Sequence, residues 1–150
     1  MVFARLALES DKAAVLALAR MQVEETLPHL AFDAEICGET FDLYLARAEP
    51  TIFVVESDQE VVGYLMALTA NYAMAAGLYV VQEALYVRPD KRGTRAAAHL
   101  VKAFVQWGER MQAREIIFGI SNGFQPDRTA KFFENVAGAK TVGFYLKKVL

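Results

Sequence analysis

The sequence predicts a mixed α/β (α+β) domain, in which a mostly antiparallel central sheet carries helices on both faces. Three observations predict it. Two early segments repeat apolar residues at helical spacing, the stretch from Thr51 to Val87 reads as consecutive strands, and from Leu78 onward strand and helix patterns alternate. Strands joined by short turns pair antiparallel, whereas a strand–helix–strand unit returns parallel, so one sheet of mixed direction follows. At 150 residues, with 55 % hydrophobic and 11 % aromatic side chains, residues 1–150 form a single domain with one core.

Val2 to Leu8 (VFARLAL) alternates as a strand. Ser10 or Asp11 then caps a helix running to about Glu25, with Val15, Leu18, Ala19, Gln22 and Val23 on its inner side, and Pro28 breaks it. A second helix from about Asp33 to Ala48 repeats Ile36, Thr40, Leu43 and Tyr44 and is closed by Pro50. Thr51 to Glu56 and Val61 to Leu68 are strands around the hairpin turn Ser57-Asp58-Gln59-Glu60. Asn71 to Gly77 is a loop or an irregular strand extension, and Leu78 to Val87 is a long apolar strand.

A helix of small residues follows from Ala96 to Met111. Glu115 to Ile120 (EIIFGI) is nearly continuous in apolar residues, the pattern of a strand buried on both faces. Pro126-Asp127 opens a shorter helix to about Val136, which Ala137-Gly138 ends. Thr141 to Val149 reads as the last strand, giving the order β-α-α-β-β-β-α-β-α-β.

Composition removes several function classes. The formal net charge of −2 offers no global basic field for nucleic acid. Cys37 is the single cysteine, so neither an internal disulfide nor a cysteine metal cluster can form, and its apolar neighbours suit an inert thiol. Two distant histidines, His29 and His99, carry no metal-ligand spacing. The first residues lack a basic-then-apolar signal region, and no apolar run approaches the ~18–20 residues of a membrane span. A cytoplasmic protein without metal, nucleic-acid or membrane partners is expected.

The most informative stretch is Glu83 to Leu100, EALYVRPDKRGTRAAAHL. An apolar strand runs into a proline turn, then a basic glycine turn, then a helix of small residues. That order builds an anion site: Gly93 admits close backbone approach, and the helix start presents unpaired N–H groups at its positive dipole end. Arg88, Lys91, Arg92 and Arg95 concentrate positive charge there. Gly-x-Gly-x-x-Gly and the glycine–lysine–serine/threonine P-loop are both absent, so the site suits a pyrophosphate held in another way.

Val87-Arg88-Pro89-Asp90-Lys91-Arg92-Gly93-Thr94-Arg95-Ala96-Ala97 resembles motif A of the GNAT-type N-acetyltransferases. That motif runs Val-x-Pro-x-x-Arg-Gly and overlaps an acetyl-CoA signature, Arg/Gln-x-x-Gly-x-Gly/Ala. Arg92 takes the first signature position, Ala97 the last, and Arg95 the place of the usual middle glycine. The resemblance is closest over about Val80 to Gln112. It implies a GNAT-like fold, acetyl-CoA as co-substrate and no metal, with direct transfer of acetyl to a primary amine in a ternary complex. The alternative of the same fold is a non-catalytic acyl-CoA-binding domain.

Carried over residue by residue, the resemblance assigns backbone contacts with the pantetheine arm to Leu85, Tyr86 and Val87. It assigns the pyrophosphate to the N–H groups of Arg92, Gly93, Thr94, Arg95, Ala96 and Ala97. Asn122, at the end of the following strand, is the candidate for the family's CoA-contacting asparagine. Glu83 interrupts an apolar strand and is the candidate base, sharing a face with Val81, Leu85 and Val87 if no bulge intervenes. Gln82 faces the other way and orders a loop or a water. Phe133 stands where many members have a proton-donating tyrosine, which leaves Tyr145, with Tyr86 and Ser121, as candidate acids. Glu24, Glu25 and His29 cluster near Pro28 and could receive a cationic amine, either a small molecule or a peptide. A homodimer is compatible with the rich apolar content.

Overall fold

The computed structural model describes residues 1–120, 123 and 125–150. Its elements are β1 (Val2–Leu6), α1 (Lys12–Thr26), α2 (Ala34–Leu45), β2 (Thr51–Ser57), β3 (Glu60–Asn71), β4 (Leu78–Val87), α3 (Ala96–Arg110), β5 (Glu115–Phe118) and α4 (Pro126–Ala137). The strands lie in the order β1-β2-β3-β4-β5. The first four are antiparallel neighbours, and β5 joins β4 in parallel. This is the mixed, mostly antiparallel sheet the sequence predicts.

Each local signal has a visible cause. Asp58 and Gln59 both take positive φ (54° and 68°), the two-residue turn whose twist matches a β-hairpin. Asp33 caps α2, accepting the Ile36 N–H at 3.0 Å. Asp11 ties β1 to α1: its carboxylate accepts the Leu8 N–H at 2.7 Å and both Arg5 Nη groups, at 2.7 and 3.0 Å. Gly138, at φ 66°, ends α4 in the left-handed conformation.

Two cores sandwich the sheet. On one face α3 buries Ala96, Leu100, Phe104 and Trp107 against Phe53, Leu65, Val80 and Val87. On the other, α1 and α2 bury Val15, Leu18, Phe41 and Tyr44 against Ile52, Val54, Tyr64 and Tyr86. The inner stripe of α2 is Gly38, Phe41 and Tyr44, which corrects the sequence reading: Ile36 and Leu43 are 63 % and 47 % exposed. Gly38 decides the rotation, since its missing side chain leaves room for the Lys12 stem of α1.

Two expectations for the C-terminal third also fail. β5 is half-buried rather than enclosed on both faces, because it is the edge strand among the described residues. Thr141 to Val149 forms no strand: residues 138–150 join no ladder, and Val142, Phe144 and Leu146 are over 90 % exposed. Their alternation is that of a strand face, but no surface of the described residues covers it. Alternation becomes a strand only where the backbone finds a ladder partner and the apolar face a cover.

Candidate functional site

The site is the gap where β4 leaves β5. Among the described residues, parallel pairing ends with Gln82 opposite Phe118, while β4 continues over residues 83–87 with β3 as its one neighbour. The Gln82 side chain makes the fork, because its Oε1 accepts the Gly119 N–H at 3.3 Å. A side-chain amide thus stands in for the next rung, and the loop-ordering role expected of Gln82 matches this contact.

The alternation of the β3–β4 ladder sets which backbone groups face the gap. The Arg88 N–H donates to the Val62 carbonyl at 2.9 Å, so Arg88 and Val62 are a hydrogen-bonded pair. Antiparallel pairs alternate, so the backbone groups of Val87 and Leu85 point away from Gly63 and Leu65, into the gap. Those of Tyr86 belong to the β3 ladder. Leu85 and Val87 therefore offer an open strand edge, and Tyr86 instead brings its ring.

A β-bulge sets the position of Glu83. Met66 opposes Ala84 while Ala67 opposes Gln82, leaving Glu83 as the extra residue. The bulge inverts the alternation: Val80 and Val87 both face α3, while Ala84 and Tyr86 face α1 and α2. Glu83 therefore does not share the face of Leu85 and Val87, as an unbroken strand would require. It is exposed at the gap, and its Oε2 accepts the Tyr44 hydroxyl at 2.6 Å. Burial first, and then this bond, push the Tyr44 phenol well above its ordinary pKa, so it stays a donor.

Beyond β4 lies the cradle. Pro89–Lys91 form one 3-10 turn, Gly93 sits at φ 81° with nothing within 4 Å of where a Cβ would stand, and α3 starts at Ala96. Thr94 folds the turn, donating to the Lys91 carbonyl at 2.6 Å and accepting the Ala96 N–H at 3.2 Å. Arg95, in the place of a glycine, has φ −80°, which any L-residue adopts, so the substitution leaves the loop path unstrained. The N–H groups of Ala97 and Ala98, in the first turn of α3, have no acceptor within the helix.

The four cations do not act together. Arg88 turns outward, pairing with Glu60 and Asp90. Arg92 turns inward along β4. Its Nη1 and Nη2 bind Glu25 of α1 at 2.5 and 2.7 Å, its Nε donates to the Val87 carbonyl at 3.0 Å, and it lies 5.2 Å above the Tyr86 ring. Lys91 and Arg95 make no ion pair among the described residues.

Helix α1 forms the opposite wall through Gln22 and Thr26. Two tyrosines of the sheet bind it: Tyr64 donates to Gln22 Oε1, and Tyr86 donates to Glu25 Oε2 at 2.8 Å. The Arg92 guanidinium holds the Glu25 carboxyl below the usual carboxylate range, against its partial burial, with Tyr86 adding to the effect. Burial and the Glu25 contact raise Tyr86 to about 12. Glu24 and His29 are exposed, so of the acidic cluster near Pro28 only Glu25 reaches inward.

Phe133 is buried at the far wall, stacked on Phe118 at 4.5 Å, an apolar surface where a phenol would have stood. Tyr145 packs on Gly119, a wall residue whose Cβ would stand 3.4 Å from the Tyr145 hydroxyl. Asn122 and Ser121 lie outside the described residues. Cys37 is half-buried and burial raises its thiol, in keeping with an inert role. Among the described residues no group of His, Cys, Asp and Glu could hold a metal, and no helix is long and apolar enough to cross a membrane.

Sequence reading missed the partners: Tyr44 for Glu83, and Glu25 for Arg92. The available signal was tyrosine on an otherwise apolar inner stripe, since a buried hydroxyl needs an acceptor across the interface.

Comparison with known proteins bears on this geometry. The acetyltransferase (GNAT) family model matches residues 14–136. No curated protein sequence matches the chain. Among solved structures, a transcriptional regulator from Bacillus halodurans C-125 superposes with a TM-score of 0.82 at 17 % identity, covering 100 % of both chains. An aminoglycoside N-acetyltransferase solved in complex with CoA gives 0.77 at 17 % identity, over 99 % of this chain and 96 % of its own. A ribosomal-protein-alanine N-acetyltransferase from Brucella melitensis biovar Abortus 2308 gives 0.75 at 16 %, over 99 % of each. At such identities the superpositions speak for the fold, while the family model spans most of the sequence, the forked sheet and the glycine cradle included. The chain belongs to the GNAT acetyltransferase family.

Proposed function

We propose that this protein is an N-acetyltransferase that moves acetyl from acetyl-CoA to a primary amine by direct transfer in a ternary complex. The observation that carries the proposal is the forked sheet opening onto the cradle. Among the described residues the β4 edge at Leu85 and Val87 has no strand partner on the β5 side, and it runs straight into a glycine turn and a helix N-terminus. An extended amide-bearing arm ending in a diphosphate fits that run: its amides pair with the strand edge, and its anion meets the N–H groups of Gly93, Arg95 and Ala97. Those of Arg92, Thr94 and Ala96 are turned to the Pro89 and Lys91 carbonyls and the Thr94 hydroxyl. The open space beside Gly93 suits this approach.

Acetyl-CoA supplies an activated acetyl thioester, and the chain supplies position and proton traffic. Glu83, held by Tyr44, faces the gap and takes the proton of the attacking amine, directly or through one water. As the N–C bond forms, the C–S bond breaks and the sulfur takes a proton. Tyr145, beside Gly119, is the candidate donor and solvent the other source. The acceptor enters along Gln22, Thr26 and Glu25, a polar wall suited to a cationic amine of a small molecule or a peptide.

Phe133 favours a second reading, acyl-CoA binding without turnover, since the far wall offers no proton where it is buried. For the assembly, we infer a homodimer through residues 138–150. Among the described residues the chain carries both an unpaired strand edge, β5, and an uncovered segment with strand alternation, and one two-fold axis would satisfy both.

The experiment is thermal melting with acetyl-CoA and desulfo-CoA, followed by an amine panel. Ligand at a hundred times its Kd adds about 2.7 kcal/mol, a shift of several degrees for a domain this size. Stabilisation with turnover supports the transferase, stabilisation without turnover supports the binding domain, and no stabilisation rejects both.

A further inference from the structure

We propose that Arg92 is shared between Glu25 and the diphosphate of the incoming co-substrate, so that co-substrate binding frees the Glu25 carboxylate to hold a cationic amine. The inference rests on the acetyltransferase reading and adds an order of binding and a specificity residue to it.

Arg92 begins the glycine turn, yet its side chain does not follow the turn. It runs back along β4 to the Val87 carbonyl, crosses the Tyr86 ring and ends as a two-pronged pair on Glu25. The Val87 carbonyl lies on the open strand edge, so the guanidinium occupies the same edge that an extended arm would join. Both Nη groups of the fork are engaged by a single carboxylate, and that fork matches a carboxylate or a phosphate equally well. A diphosphate carries more charge than a carboxylate and also gathers the N–H groups of the turn, so it is the stronger claimant.

Once Arg92 turns to the diphosphate, Glu25 keeps, among the described residues, only the Tyr86 hydroxyl. A partly buried carboxylate that loses its cation binds another strongly, because the desolvated charge is otherwise left uncompensated. Gln22 and Thr26, beside Glu25 on α1, flank the vacated place. An ammonium group on the acceptor fits there, which makes the preferred acceptor a molecule with a second cationic amine besides the one acetylated. Each ligand then raises the affinity of the other by the same factor.

The test is calorimetry of CoA binding to the wild type, Glu25→Gln and Glu25→Asp, with folding checked by thermal melting. Glu25→Gln is expected to bind CoA three- to tenfold more tightly, since the competing carboxylate is gone, and Glu25→Asp to fall between. The same Glu25→Gln substitution should raise KM for a diamine about tenfold or more, with kcat changed little. With S-acetylpantetheine, which lacks the diphosphate, Glu25→Gln should show a smaller gain in affinity than with CoA, and an equal gain would overturn the role of the diphosphate. Unchanged or weaker CoA binding by Glu25→Gln would overturn the proposal and make the pair a fixed brace. If neither wild type nor variants bound CoA, the acetyltransferase reading would fall, and the proposal with it.

Discussion

At the scale of single residues, the site depends on atoms whose position follows from one neighbour each. Glu83 reaches the gap because a bulge turns it away from the α3 core, and Tyr44 fixes the carboxylate at 2.6 Å. Under the proposed chemistry, Glu83→Gln keeps the shape and removes the base. It should lower kcat/KM about 10²-fold or more near neutral pH, with the deficit shrinking as the amine loses its own proton at higher pH. A pH–rate profile identical to the wild type would exclude Glu83. Gly93, at φ 81° with open space beside it, tests the cradle. Gly93→Asp should cost about 1–3 kcal/mol of backbone strain and abolish CoA binding, because it sets a carboxylate where an anion belongs. Calorimetry with a circular-dichroism check decides it, and retained affinity would remove the phosphate argument.

At the scale of elements, the first strand and first helix are joined by one buried acid. Asp11 is 6 % exposed and bound by Arg5, which holds its carboxyl below the usual range against burial, with the Leu8 N–H adding to the effect. A folded value below the unfolded one means that the stabilisation is fully present above the ordinary value of 3.8 and is lost as pH falls through the lower folded one. Asp11→Asn should therefore cost about 2–3 kcal/mol at pH 7 by urea unfolding. The difference from wild type should narrow below about pH 4 as the native carboxyl takes its proton. A gap that persisted undiminished into acid would show that packing, not charge, is lost. Sequence pattern placed α1, β4, α3 and α4 well, and Pro126 and Gly138 bound α4 as local signals, but the expected side-chain cap of α1 fails: the Asp11 carboxylate turns back to the Leu8 N–H. It misjudged the facing of α2, where Gly38 and not the larger Ile36 or Leu43 sets the contact with α1.

At the scale of the whole molecule, the proposed homodimer rests on the exposed segment at residues 138–150. Val142, Phe144 and Leu146 are each almost fully exposed, while Tyr145 touches Gly119. Exposed apolar surface of this kind marks contacts between molecules. Sedimentation of the wild type at micromolar concentration should give a dimer, and Phe144→Asp a monomer that melts at a lower temperature. A wild-type monomer would end that inference.

The sequence by itself determined the antiparallel run of strands, the helix starts (α2 stops at Leu45, short of the expected Ala48), the glycine turn with its arginines, and thereby the family. Those depend on neighbours within a few residues: a positive φ at Gly93, a cap at Asp33, a period of two or of three to four. Only the tertiary structure decided what those residues do. It inverted the face of Glu83 through a bulge that exists in the pairing of two strands and not in either alone. It withdrew Arg88 to Glu60 and Asp90 and gave Arg92 to Glu25, which stands 67 positions away in the chain. It left Thr141 to Val149 unpaired although the alternation is present. The reason is common to all three: charge pairing, strand registry and the burial of a face are properties of two surfaces brought together, and a one-dimensional pattern specifies only one of them.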